Sequence, residues 1–228
     1  MNFSGFLGLV SQWQPQLAMA TLQTVEMAGL SFILAAVLGL GVAFARISKN
    51  QTLAYAAWVF TEIIRGTPIL VQLFVIYFGL GGIGIPIPAF DAAVAGLAIN
   101  YAAYLGEVYR AGIESIDRGQ REAAQSIGME YWLTMRLIIL PQALRVVLPP
   151  MTNYLIFILQ DTSVASLISA PELMLRTRDL SSEYFTPFEL YLTAGAIYFT
   201  LGYSLSLLVQ LIEKQFSSAR RTPAFILH

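Results

Sequence analysis

The stretch from Met27 to Ala45 contains no charged residue, and it is one of several long apolar blocks rather than part of a scattered pattern. Nothing constrains a chain more. A block of this length fits a helix crossing a bilayer, which needs about 20 apolar residues. Only 12% of the 228 residues are charged, while 57% are hydrophobic. A soluble domain carries about 25% charged residues, so this chain cannot cover a water-facing surface. The net charge of −1 says nothing about partners, and no basic patch points to nucleic acid, so none is expected. With no cysteine, and a single histidine at His228, disulfides, thiol catalysis and a His-based metal site are excluded. No Lys/Arg-rich leader opens the sequence, so no cleaved presequence is expected.

Five spans are expected, over about 17–45, 55–80, 92–111, 148–168 and 189–212, in a single all-α domain covering 1–228. A polar loop of about 112–145 separates the third and fourth. Lys and Arg divide unevenly between the two sides of this arrangement. One side holds Arg46, Lys49, Arg110, Arg118, Arg121, Arg136, Arg145, Lys214, Arg220 and Arg221. The other holds only Arg176 and Arg178, with Arg65 inside a span. Basic loops stay in the cytoplasm, so the 112–145 loop and the C-terminus are expected there and the N-terminus outside. Trp13, Trp58 and Trp132 fall near the expected interfaces, where aromatic belts form.

The second span is interrupted by Glu62-Ile-Ile-Arg65-Gly66-Thr67-Pro68. A charge at membrane depth costs about 3 kcal/mol or more, so it faces a cavity or a partner. Thr67 as N-cap and Pro68 as first helical residue would start a new half-helix, its positive end suited to an anionic group. Arg65 could hold a carboxylate bidentately; a simple kink with Glu62 and Arg65 paired is the competing reading. In the fourth span, Asn153, Gln160 and Ser163 share a stripe, with Asp161 one position off it. A buried carboxylate needs a partner, either a bound ammonium group or Arg65 itself. Thr162 and Ser163 could equally bond back to their own helix. On the third span, Asn100, Tyr104 and Glu107 recur at helical steps; for Tyr101 and Tyr104 packing is the stronger reading, and Asn100 the better site candidate. The outside segment from Pro171 to Phe188 carries Glu172, Arg176, Arg178, Asp179 and Glu183, fit either for docking a protein or for a solvated connector.

In the polar loop, Ala124, Ile127, Tyr131 and Met135 give a modest apolar face at helical spacing. Gly128 suits a left-handed helix end, and Pro141 limits how far a second short helix could continue unbent. From physics alone, such a loop is as readily a connector lying on lipid headgroups.

Residues 122–141 read Glu122-Ala123-Ala124, three residues, Gly128, nine residues, then Ile138-x-Leu140-Pro141. This pattern resembles the cytoplasmic coupling (EAA) loop of ABC importer permeases. The run from Arg65-Gly66-Thr67-Pro68 to Gln72-Leu-Phe, with Asn100-Tyr101-Ala-Ala-Tyr104 and Glu107, is similar to the polar amino acid (HisMQ-type) branch. Related permeases commonly read Lys-Asp-Thr-Ser where this chain has Gln160-Asp161-Thr162-Ser163, so their specificity cannot be copied over.

The resemblance implies a type I ABC importer permease fold in a bacterial cytoplasmic membrane, and uptake of a polar amino acid by alternating access. With the residue reading above, Arg65, Gly66, Thr67 and Asp161 are expected near the pathway, with Asn100, Asn153 and Ser163 lining it. Glu122, Ala123, Ala124 and Gly128 would meet two cytoplasmic ATPase subunits. A second permease subunit, identical or homologous, and an extracytoplasmic binding protein complete the implied assembly. This chain has no G-x-x-x-x-G-K-[ST] loop, so ATP and Mg would sit on the partner ATPase and this subunit would not itself be an enzyme. Two other readings stay open: an ion-coupled secondary carrier using Glu62, Glu107 and Asp161, which usually shows two related halves absent here, and an assembly subunit without its own pathway.

Overall fold

In a computed structural model the backbone is described for residues 3–217 and side chains for 13–211. The side chains of Lys214, Arg220, Arg221 and His228 lie outside the described residues. Every described element is helical. Helix α1 (Phe3–Arg46) is followed by α2 (Gln51–Arg65) and α3 (Ile69–Gly82). Then come α4 (Ala89–Glu114), the short α5 (Arg118–Ser126), the long α6 (Tyr131–Ile168), α7 (Leu173–Tyr184) and α8 (Pro187–Ser217).

Helices α1 and α4 form the spine because small residues let their backbones approach. A Cβ on Gly39 would stand 3.0 Å from Leu105 Cβ, and one on Gly106 would meet Val42 Cγ1 at 2.8 Å. Such close approach is how helices associate in lipid, where burying apolar surface gains little. Met27, Ala28 and Ala35 of α1 pack with Leu97, Tyr101 and Leu105 of α4 in the main buried cluster, joined by Ile158 and Leu159 of α6. The outward faces are the apolar ones: Leu22 is 67% exposed, Val37 63% and Phe199 71%. That inversion suits a hydrocarbon solvent rather than water.

Trp13–Arg46, Tyr131–Ile168 and Pro187–Leu211 are long and apolar enough to cross a membrane. The expected second span is instead a broken pair, α2 and α3, bent by 105°. With that pair counted as one, four crossings meet the measure against the five expected. Helix α4 is 26 residues, about 39 Å at 1.5 Å per residue, long enough to cross. It carries Asp91, Asn100, Glu107 and Arg110, and among the described helices it buries the most of its length.

The second short helix expected in the polar loop is the start of α6. The chain passes Pro141 without stopping because a π-helical turn at Met135–Ile139 precedes it. That turn changes the hydrogen-bond register where the proline ring offers no N–H. Trp13 is turned into the protein rather than outward. It is 1% exposed, packs edge-on against Tyr184 at 6.1 Å, and belongs to a second cluster with Leu17, Leu173, Leu180 and Leu190.

The two ends of the bundle are tied down differently. Arg46 Nε bonds Glu107 Oε1 at 3.0 Å, and Arg110 bonds Glu107 at 2.8 Å and Glu114 at 2.6 Å, all next to the polar loop. At the opposite end α7 docks on the first half of α1: Leu173 N donates to Thr24 Oγ1 at 3.0 Å, and Arg176 donates to Gln16 Oε1.

Candidate functional site

The break between α2 and α3 is held open by side chains. Gly66 caps α2, its N–H reaching Glu62 O. A Cβ there would stand 2.8 Å from that same carbonyl. Thr67 is not the N-cap the sequence suggests. Pro68 takes that position in an extended conformation and α3 starts at Ile69, while the Thr67 hydroxyl donates back to Ile63 O at 2.9 Å and Ile64 O at 3.4 Å. The hydroxyl thus covers carbonyls that the end of α2 leaves without partners. Gln72 completes the joint. Its Nε2 donates to Ile64 O at 2.7 Å, Thr67 O at 3.1 Å and Thr67 Oγ1 at 2.8 Å, and its Oε1 accepts from Asn100 Nδ2 at 3.1 Å. One amide therefore ties the break to α4.

Beside this joint lies a cavity of about 570 Å³, lined by Arg65, Gly66, Thr67, Asn100, Tyr101, Tyr104 and Asp161, with Pro68, Ile69, Tyr154 and Phe157. Five of the seven residues singled out for a pathway therefore meet in one place. Asn153 and Ser163 do not: neither lines the cavity, and the Ser163 hydroxyl donates to Gln160 O at 2.7 Å. Thr162 likewise bonds back, to Leu159 O at 2.8 Å.

Neither ion pair considered for Arg65 forms. Among the described residues it pairs with neither Glu62 nor Asp161; its guanidinium stands 5.3 Å from the centroid of the Tyr104 ring. A cation–π contact of this kind is worth about 0.5–1 kcal/mol and leaves the N–H fork able to donate. Asp161 Oδ2 accepts from Tyr101 Oη at 2.6 Å. At Asp161 the α-helical part of α6 gives way to a tighter 3₁₀ stretch, Thr162–Ile168.

Tyr101, Tyr104 and Tyr154 form a triangle with ring centroids 5.7–6.0 Å apart, which makes the aromatic wall. Tyr101 thus does more than pack; Tyr154 and Phe157 of the cavity wall, and Gln72 at the joint beside it, were not singled out from the sequence as pathway residues. Gln72 stood inside the matched motif, and its amide four positions past Pro68 was the available signal. Glu107, on the helix face it shares with Asn100 and Tyr104, does not line the cavity and is held by Arg46 and Arg110.

The polar loop is organised by Gly128. Its φ is +76°, and two hydrogen bonds close α5, Gly128 N to Gln125 O at 2.9 Å and Met129 N to Ala124 O at 3.0 Å. This is a Schellman end, which favours glycine. The expected apolar face does not survive that turn. Ala124 and Met135 are buried, whereas Ile127 is 77% and Tyr131 59% exposed. Glu122 and Ala123 are exposed on α5.

A helical bundle with apolar faces turned outward, and a polar cavity where one crossing is broken, defines a membrane-embedded transport subunit. The chain belongs to the family described as binding-protein-dependent transport system inner membrane component, whose model matches residues 12–218. It is 37% identical over 193 residues to the L-cystine transport system permease protein of Bacillus subtilis, covering 84% of this chain and 82% of that one. It is 37% identical over 216 residues to the nopaline transport system permease protein of Agrobacterium fabrum, covering 90% and 89%. Among solved structures, an amino acid ABC transporter crystallised with histidines matches with a TM-score of 0.87 at 37% identity, over 92% of this chain and 98% of that one. An inward-facing methionine ABC transporter shares the fold, with a TM-score of 0.78 at 20% identity over 90% and 98%. The chain is a permease subunit with the ABC importer permease fold, resident in a membrane.

Proposed function

We propose that this permease takes up polar amino acids, and that the cavity at the α2–α3 break is part of the route. The observation that carries this is a free guanidinium and a carboxylate in one cavity without an ion pair between them. A zwitterionic amino acid presents the complementary groups. Arg65 receives the α-carboxylate through its N–H fork and Asp161 receives the ammonium. Asn100, Gly66 and Thr67 shape the polar wall, and the three tyrosines accept the side chain. Cavities of about 300–1,000 Å³ hold small ligands. The cystine and nopaline permeases above carry amino acids or their derivatives by name, which supports this substrate class.

The remainder of the machine lies in other subunits. The basic end faces the cytoplasm of a bacterium and the N-terminus faces outside. Two cytoplasmic ATPases, carrying ATP and Mg, grip the loop at Glu122, Ala123, Ala124 and Gly128. A second permease subunit, same or homologous, completes the pathway, and an extracytoplasmic binding protein delivers the substrate at the end where α7 lies. This subunit has no catalytic residue of its own.

The test is ATPase turnover of the complex purified in nanodiscs, with and without binding protein, across a panel of L-amino acids. Stimulation by one amino acid class supports the reading. If no ATPase co-purifies and no amino acid changes turnover, the reading fails. In the same complex, Gly128→Ala isolates the value of the loop's turn. Nothing lies within 4 Å of the added methyl, so the cost is the left-handed backbone alone, about 1 kcal/mol. ATPase binding to the permease should weaken about fivefold; unaltered affinity in a titration would remove Gly128 from the contact.

A further inference from the structure

The loop has one charged side chain that turns inward. Helix α5 is nine residues long and buries only Ala124. Its N-cap bond, Asp117 Oδ1 to Gly119 N, is local, and Gln142 reaches Gln120 only at 3.5 Å. Arg121 is different: its Nη2 donates to Ile113 O at 3.0 Å, and its Nε is buried. Ile113 is 4% exposed and lies in the last turn of α4, packed with Met135, Ile139 and Ala143. A last-turn carbonyl lacks an intrahelical donor and sits at the negative end of the helix dipole, so a guanidinium there is held by both charge and geometry. Arg118, Arg136 and Arg145 in the same region are exposed.

Helix α4 is also the one that carries Tyr104, Tyr101 and Asn100. It has no proline and no break from Ala89 to Glu114. Ile113 stands nine residues from Tyr104 and thirteen from Asn100, about 14 and 20 Å along the axis. From Asn100 the amide of Gln72 continues to the α2–α3 break. We infer that Arg121 is the positioning residue through which displacement of α5 is delivered to α4, and so to the cavity wall. It does not touch substrate; it makes the two helices move together. This rests on the importer reading above.

The experiment uses the full complex in nanodiscs and reads ATPase turnover and amino acid uptake in parallel for wild type, R121Q, R121K and R118Q. Expected for R121Q is assembly with ATP hydrolysis retained and transport per ATP reduced at least tenfold. R121K, which keeps the cation and one donor, recovers part of that ratio, and R118Q behaves as wild type. A residue that merely braces the fold would lower uptake and hydrolysis together and leave their ratio unmoved. An R121Q complex with a wild-type ratio, or R118Q falling equally, overturns the inference while leaving the importer reading standing. A wild type with no substrate-dependent turnover overturns both.

Discussion

Asp161→Asn is expected to abolish most uptake while the subunit folds and assembles as before. Asparagine keeps an oxygen at the position that accepts from Tyr101 Oη at 2.6 Å, so the internal contact survives and only the charge is lost. A hydrogen bond to a charged group is worth about 1.5–3 kcal/mol, against about 1 kcal/mol for a neutral one. Losing that margin, with the long-range attraction for an ammonium, lowers uptake by about tenfold to a hundredfold. Uptake of labelled amino acid into proteoliposomes is the measurement. Asp161→Ala should be at least as severe, since it also strands the Tyr101 hydroxyl. Normal uptake by Asp161→Asn would remove the carboxylate from the route.

Glu172→Ala is expected to have the largest effect on stability. Glu172 is 1% exposed at the start of α7. It accepts from Met174 N at 2.7 Å, Leu175 N at 2.6 Å and Tyr198 Oη at 2.7 Å, joining α7 to α8 beside the bond between Leu173 N and Thr24 of α1. Alanine leaves two backbone N–H groups and a hydroxyl without an acceptor in a buried place. The loss of an N-cap costs about 1 kcal/mol, and stranded buried donors cost about 1–3 kcal/mol more, for a total of about 3 kcal/mol. Thermal unfolding of the purified subunit in detergent measures it, and an unchanged midpoint would show that the end where α7 docks is held elsewhere.

The same residue sets a pH dependence. Burial pushes the Glu172 carboxyl up from its ordinary 4.5, with its hydrogen bonds and Arg178 acting the other way. The native state therefore keeps this proton to a higher pH than the unfolded chain does. Its contribution is fully present below about 4.5 and is lost as pH rises through the raised value. Glu172→Gln should flatten the stability profile in that window; a variant with the wild-type slope would place the effect on another group.

Sequence and structure parted at definite places. The charge-free block from Met27, the lopsided arginines and the Arg65–Pro68 interruption were legible because each is a local property of chain and solvent. Gly128 as a helix end was legible for the same reason, since a left-handed residue is a backbone requirement. The residues brought to the cavity were read in part. Arg65, Gly66, Thr67, Asn100 and Asp161 were found by asking which polar groups a membrane would not tolerate alone. Asn153 and Ser163 lie outside that cavity, since a helical stripe says nothing about which neighbour it faces. Gln72, Tyr154 and Phe157 escaped because amides and aromatic rings are unremarkable in a span until something lies opposite them.

By itself, then, the sequence determined the solvent this protein folds in, the helical architecture, the point where one crossing breaks and the glycine that ends the loop helix. The free energies behind these are those of single segments against hydrocarbon or of single residues against φ and ψ. Only the tertiary structure decided the partners. Tyr101, sixty residues away in the chain, takes the bond to Asp161, Arg65 rests on Tyr104, Glu107 goes to Arg46, and Arg121 turns inward onto Ile113. Each of those choices depends on which helices pack side by side, and that follows from the close fit of Gly39 and Gly106 between α1 and α4.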